Sequence, residues 1–235
     1  MTSFYALTNG KHGNEHLAYV VGVMLGDGCL YATRGTHYHN KQPAASYRIE
    51  LQVIDHEFAT AFAQALAHTL KRPERRKPLV MGTQPKPTNP SPVLRVSVAS
   101  KSFGEWWFAR RNDPEAVWPF IERHPAAFLR GLYDSEGSLS YRSKGHGRYP
   151  GRRTVGSYTV RIFSQRRTTL ELAARALAVL GMNATIRVFR KAGTVVQLPT
   201  GPTVSGSDLL VLCPTPARRF LAEVGSSIPR KNGQP

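Results

Sequence analysis

Apolar positions change period along the chain, and each change marks an element. From His16 to Leu25 nearly every residue is apolar or small (HLAYVVGVML), which predicts an apolar helix. Strands are expected at Cys29–Thr33 and at the alternating segment Tyr47–Ile54. Phe58, Phe62, Leu66 and Leu70 recur every four residues, so Glu57–Leu70 reads as an amphipathic helix. Pro78–Gly82 and Val93–Ala99 read as strands, and Phe103–Arg111 as a helix broken by Asn112-Asp113-Pro114. The same order then returns. Helix Pro125–Glu136 leads to strands Leu139–Tyr141 and Thr154–Phe163, helix Thr168–Leu180, strands Ala184–Arg190, Thr194–Leu198 and Ser207–Cys213, and helix Thr215–Val224. Each half reads αββαββα, so the expected fold class is α+β, with two pseudo-symmetric halves that each hold an antiparallel sheet. The expected boundaries are 1–112 for the first half (1–14 a tail), 113–124 for a connector, and 125–235 for the second half (226–235 a tail, mobile over Arg230–Pro235).

The leading helices of the two halves end alike, in Gly26-Asp27-Gly28 and, 109 residues later, Ser135-Glu136-Gly137. A carboxylate at a helix C-terminus meets the negative end of the helix dipole, which disfavours it by about 0.3–1 kcal/mol. A bound divalent cation would repay that. Gly22 and Gly26 lie four apart, as do Gly131 and Ser135. Small residues at that spacing let two helix backbones approach closely, so packing these helices together would bring Asp27 and Glu136 side by side. Two adjacent carboxylates repel unless one protonates or a metal lies between them. Mg²⁺ suits a site of carboxylates, carbonyls, water and phosphate oxygens.

Charge adds a partner. The 235 residues carry a formal net charge of +17 and a sequence pI of about 10.5, which points to a polyanion, first of all nucleic acid. No apolar run reaches the roughly 20 residues of a membrane span, and the N-terminus lacks an apolar signal core, so an intracellular location is expected. Cys29 and Cys213 make neither a disulfide framework nor a zinc site, and default to small buried or strand residues. Trp106, Trp107 and Trp118 read as core. In Tyr47–Ile54, Arg48, Glu50 and Gln52 share one face, and an offset of 109 maps them onto Ser157, Thr159 and Arg161. Arg95 and Ser97 alternate with apolar neighbours in the same way, as do Thr185 and Arg187. An ordinary solvated sheet face has this alternation too. Beside the charge and the duplication, it fits a sheet laid along a DNA major groove, where Arg and Gln read base edges.

At Val20–Gly28 and Leu129–Gly137 the chain resembles the LAGLIDADG homing endonucleases in their single-chain, two-motif form. The likeness covers both motifs, their spacing and the element order. It implies a DNA-binding saddle around a central two-helix interface. Asp27 and Glu136 would be catalytic and would hold Mg²⁺ (Mn²⁺ substituting), with the backbone carbonyls of Gly26 and Ser135 helping. The family's water-ordering position matches Asp55 and Ser164, with Gln165 adjacent. His56, Arg110, Arg166 and Arg218 are candidates for the basic group near the phosphate. The DNA-binding set it implies is Tyr31, Thr33, Arg48, Glu50, Gln52, Arg95 and Ser97 in the first half. In the second it is Ser138, Ser140, Arg142, Ser157, Thr159, Arg161, Thr185 and Arg187.

The function so implied is site-specific, Mg²⁺-dependent hydrolysis of both strands of a long, asymmetric DNA target. Cutting would run across the minor groove and leave short 3′ overhangs. The protein would be a monomer, intron-encoded, and located in a prokaryotic cytoplasm or nucleoid or in an organelle, with no membrane partner. Two alternatives use the same fold: an RNA maturase that binds the intron transcript, and a non-catalytic DNA-binding regulator. Neither needs both acids at electrostatically awkward helix ends.

Overall fold

The computed structural model describes residues 14–36, 43–71, 79–83, 93–142, 145–146, 153–154, 157–198 and 201–233. Among these are seven α-helices and ten strands. The first half runs α1 (Glu15–Leu25), β1 (Cys29–Thr36), β2 (Pro43–Val53), α2 (His56–Thr69), β3 (Leu79–Thr83), β4 (Val93–Ala99) and α3 (Lys101–Phe108). A short helix α4 (Pro114–Val117) and a 3-10 turn (Trp118–Phe120) lead to α5 (Pro125–Glu136). The second half continues with β5 (Gly137–Arg142), the two-residue pair β6 (Gly145–His146) and β7 (Arg153–Thr154), and β8 (Ser157–Ser164). It ends with α6 (Arg167–Val179), β9 (Thr185–Leu198), β10 (Gly201–Leu212), α7 (Pro214–Glu223) and a 3-10 turn (Pro229–Asn232). The sheets are antiparallel, with strand orders β1-β2-β4-β3 and β5-β8-β10-β9.

Helices α1 and α5 pack on each other at the centre. Ala18, Val20, Val21 and Val23 of α1 are fully buried, since a helix that is apolar all round leaves no face suited to water. Asn14 caps α1, its side chain accepting from the Leu17 amide at 2.8 Å. Helix α2 covers the inner face of the first sheet and α6 that of the second. Trp106, Trp107 and Trp118 are buried as expected, and Trp106 meets Phe120 edge-on with ring centroids 5.0 Å apart. The connector is thus part of the core, since Val117, Phe120 and Ile121 are buried in it as well.

Five expectations change. The C-terminal segment is no loose tail, nor is its described part from Arg230 free of the body: Ile228 and Lys231 are buried, and Asn232 accepts from the Ser226 amide at 2.7 Å. The two strands expected at Ala184–Arg190 and Thr194–Leu198 are one, β9, which β10 accompanies through a register shift between Ser205 and Asp208. Thr154–Phe163 is divided between β7 and β8. The repeat offset is also not constant. Cys29 pairs with Glu50, whereas Ser138, its counterpart 109 residues on, pairs with Arg161. The second half has gained two residues between its first two main strands. Hence Arg48, Glu50 and Gln52 correspond to Thr159, Arg161 and Phe163. Likewise Asp55 corresponds to Arg166 and not to Ser164; both precede the first turn of their helix as N-caps. Of the cysteines, expected as small buried or strand residues, both are exposed: Cys29 does open β1, whereas Cys213 lies past the end of β10 as the N-cap of α7.

Candidate metal and nucleic-acid site

The approach of α1 and α5 is set by glycine. A Cβ added at Gly22 would lie 2.2 Å from the Phe128 carbonyl oxygen, and one at Gly131 would lie 2.2 Å from that of Tyr19. No other residue fits there without parting the backbones. One turn further on, a Cβ at Gly26 would meet Ser135 Cβ at 2.5 Å and Glu136 Cγ at 3.0 Å. The small-residue spacing read from sequence therefore places Glu136 against the end of α1, next to Asp27.

Both acids sit where their helices stop. The Gly26 and Gly28 amides turn back to the Val23 carbonyl at 3.1 and 2.9 Å, and the Gly137 amide donates to Tyr133. Among the described residues neither carboxylate has a hydrogen bond or a close ion pair. Burial pushes the Glu136 carboxyl up to about 7, the nearby Asp27 charge adds to this, and Lys231 opposes both. Asp27 is also raised, by desolvation, with Lys231 acting against it. Two carboxylates, candidate oxygen donors, are held together at some electrostatic cost, each following Gly26 or Ser135 in the chain. That donor set fits a hard divalent cation.

The neighbouring Asp134 is the opposite case. It is buried, and its oxygens accept from Tyr19 Oη (2.7 Å), Ser227 N (2.9 Å), Ser227 Oγ (2.6 Å) and Ser226 Oγ. With every lone pair occupied, it ties α1, α5 and the C-terminal segment together and has nothing left for a ligand. Lys231 comes in on that same segment. It is only 8% exposed, and its Nζ donates to the carbonyls of Tyr133 (3.0 Å) and Asp134 (2.7 Å). A cation there offsets the negative end of α5, where Glu136 sits. Lys231, Asp134 and Tyr19 were not among the residues expected from sequence. Their neighbours in space are about a hundred positions away in the chain.

The other expected residues separate into groups. Gln165 and Arg166 are exposed and line a cleft of about 680 Å³ together with Gly26, Glu136, Tyr31 and Arg111. Ser164 is buried, its hydroxyl accepting from the Arg166 amide at 3.0 Å. Asp55 is held by Arg230 through bonds of 3.0 and 2.9 Å. His56 is exposed at the start of α2, away from that cleft's lining. On the outer face of the first sheet, Tyr31, Arg48 and Gln52 are exposed and Ser97 is half-buried. Glu50 is 3% exposed and binds Arg95 and Gln52 Nε2, the latter at 2.6 Å. It orients Arg95 and is not free to meet a base. On the second sheet Ser138, Ser140, Ser157, Thr159 and Arg161 are half-buried, while Thr185 and Arg187 are exposed. Thr33 and Arg142 lie on strands β1 and β5, with side chains outside the described residues.

The family model described as "LAGLIDADG-like domain" matches residues 123–225, a span that begins just ahead of α5 and contains Glu136. The second half of this chain is similar to a LAGLIDADG-like domain. The described fold is similar to that of the homing endonuclease I-DmoI. Its structure in complex with DNA and Ca superposes with a TM-score of 0.58 at 18% identity, over 93% of this chain and 95% of that one. Its structure with DNA and Mn gives 0.54 at 19% identity, over 90% and 96%. Two curated relatives from Methanocaldococcus jannaschii are uncharacterized. MJ0398 is 25% identical over 77% of this chain and 54% of its own length, and MJ0314 is 31% identical over 57% and 45%. The chain spans about half the length of these relatives. The LAGLIDADG fold accounts for the paired helices and the two sheets flanking their acidic ends. Among the described residues no helix is long and apolar enough to cross a membrane.

Proposed function

We propose that this protein is a Mg²⁺-dependent, site-specific endonuclease that cuts both strands of a long, asymmetric DNA target. The observation that carries this reading is the pair Asp27 and Glu136. They are brought together on matched helix ends, without a hydrogen bond or ion pair among the described residues, and so close that the Asp27 charge adds to the burial of Glu136 in pushing the Glu136 carboxyl up to about 7. A regulator or a purely RNA-binding chaperone has no use for that arrangement. The net charge of +17 and the arginines of the outer sheet faces suit a duplex, and I-DmoI supplies a fold precedent in complex with DNA.

Asp27 and Glu136, with the Gly26 and Ser135 carbonyls, would hold the cation, with Mn²⁺ able to replace Mg²⁺. Bound there, the metal would polarise a phosphate and generate hydroxide from water. The chain does the rest. The two carboxylates would coordinate and partly neutralise that cation, each chiefly serving one strand across the minor groove, which leaves short 3′ overhangs. Lys231 keeps the end of α5 from repelling the phosphate. Gln165 and Arg166 stand in the cleft beside Glu136, within the space a scissile phosphate and its water would use. The protein acts as a monomer, since both acids belong to one chain, and intron homing is the role that fits such an enzyme.

The test is cleavage of a randomised duplex library with Mg²⁺ and with EDTA, using wild type and the Asp27→Asn, Glu136→Gln double variant. Mg²⁺-dependent cutting within one consensus, absent in the double variant, supports the proposal. Binding without cutting would identify a regulator. Affinity for a folded intron transcript with no DNA activity would identify a maturase.

A further inference from the structure

The outer faces of the two sheets differ chemically at equivalent positions. Because Cys29–Glu50 and Ser138–Arg161 are matching pairs, the cross-strand pairs beyond them match too. In the first sheet Glu50 faces Ser97 and Gln52 faces Arg95. In the second, Arg161 faces Val211 and Phe163 faces Leu209. A polar quartet in one half is replaced by one arginine and three apolar residues in the other.

Each set is built for its own kind of contact. In the first sheet Glu50 accepts from Arg95 Nη2 and from Gln52, so the guanidinium is held in one orientation while its side chain remains 31% exposed. Its Nε is buried with no partner among the described residues. A fixed, partly open guanidinium matches the O6 and N7 acceptors of guanine in the major groove. In the second sheet Phe163, Leu209 and Val211 take no part in the hydrophobic core, which lies on the opposite face with Val160, Ile162, Leu210 and Leu212. Phe189 joins them edge-on to Phe163 with ring centroids 5.0 Å apart, and it is 53% exposed. Phe163 and Phe189 line the same cleft as Glu136, Arg166 and Arg190. An apolar patch ringed by arginines and opening beside the paired acids fits a polyanion that carries methyl groups. In DNA the thymine 5-methyl is that group.

Resting on the DNA-cleaving reading above, we infer that the two sheets read opposite base chemistry. The first reads guanine through Arg95 held by Glu50. The second reads thymine methyls through Phe163, Leu209 and Phe189.

The experiment begins with selection of a bound site from a randomised duplex library in Ca²⁺, using wild-type protein. Each thymine of the selected site is then replaced by deoxyuridine, which removes only the methyl, and each guanine by 7-deazaguanine, which removes N7. In the half-site under the second sheet, loss of a contacted methyl should weaken binding about fourfold. Phe163→Ala should erase the difference between thymine and uracil, and Phe163→Leu should retain it. Thermal melting of both variants excludes misfolding as the cause. In the other half-site 7-deazaguanine should weaken binding about tenfold, and Arg95→Ala or Glu50→Gln should remove that discrimination. A selected site indifferent to every thymine-to-uracil change would overturn the inference and leave DNA recognition standing. So would Phe163→Ala that still discriminates. Enrichment of no duplex at all would overturn the DNA reading and this inference with it.

Discussion

Lys231 donates to the carbonyls of Tyr133 and Asp134, so a buried charge stands behind the Glu136 carboxylate. Lys231→Met would keep the bulk of the stem and leave two carbonyls without a donor. The expected loss is about 1–3 kcal/mol, measured by urea denaturation. The same change removes a charge that opposes the rise of Glu136, so Mn²⁺ binding, followed by titration calorimetry, should move to higher pH. Glu136 makes a second prediction. Its folded pKa, about 7, lies above the ordinary carboxylate range near 4.5, so the folded state binds its proton more tightly than the unfolded state. In metal-free protein this contribution to stability is complete below pH 4.5 and is lost as pH rises to 7. Glu136→Gln should flatten that segment of the stability–pH curve. An unchanged slope would mean that the carboxyl is not raised. At this scale Asp27 and Glu136 were legible in the sequence because an acid before a helix-ending glycine is electrostatically wrong without a ligand. Lys231 was not, because a basic residue near a chain end has no local pattern. Only the fold reveals that its ammonium is buried.

The α1–α5 crossing depends on two reciprocal glycines. A methyl at Gly22 or Gly131 would meet backbone, which cannot rotate away as a side chain can. Gly22→Ala or Gly131→Ala should therefore lower stability by about 3 kcal/mol, toward the upper part of the range for overpacking, as read from the denaturation midpoint. It should also part the two acids and weaken divalent binding. A variant with native stability would disprove the close crossing. The existence and type of elements were legible wherever the apolar period was sustained, as in α1, α2, β4 and α5. The sequence was less informative where regular pairing extends past its pattern. Strand β9 spans Lys191-Ala192-Gly193, where its register against β10 shifts, because β10 pairs with it on both sides, at Arg190 and at Thr194, and no alternation marks that stretch. The two-residue growth of the repeat offset was equally hidden. A strand with polar and apolar residues alternating reads the same when shifted by two. That shift moves Asp55 onto Arg166, so the two halves differ in charge just where each sheet meets its second helix.

For the whole molecule, the net charge of +17 and two sheets flanking one acidic pair predict a strongly salt-dependent grip on DNA. The logarithm of affinity should fall linearly with the logarithm of salt, with a slope of about −0.9 per phosphate neutralised. Filter binding between low and moderate salt gives the number of contacts, and a slope near zero would contradict a backbone-spanning saddle. The two-lobed plan was legible because matched motifs repeated with matched elements. The chemical difference between the lobes was not, because it depends on which residues pair across strands: Gln52 with Arg95 in one half, Phe163 with Leu209 in the other. The central claim is that Asp27 and Glu136 together make one double-strand cutting site, each serving mainly one strand. It is tested most directly by strand-resolved cleavage of the selected duplex in Mg²⁺, comparing wild type with Asp27→Asn and Glu136→Gln singly. Both variants should bind the duplex and fail to make the double-strand break. Either variant cutting both strands at the wild-type rate would contradict the account.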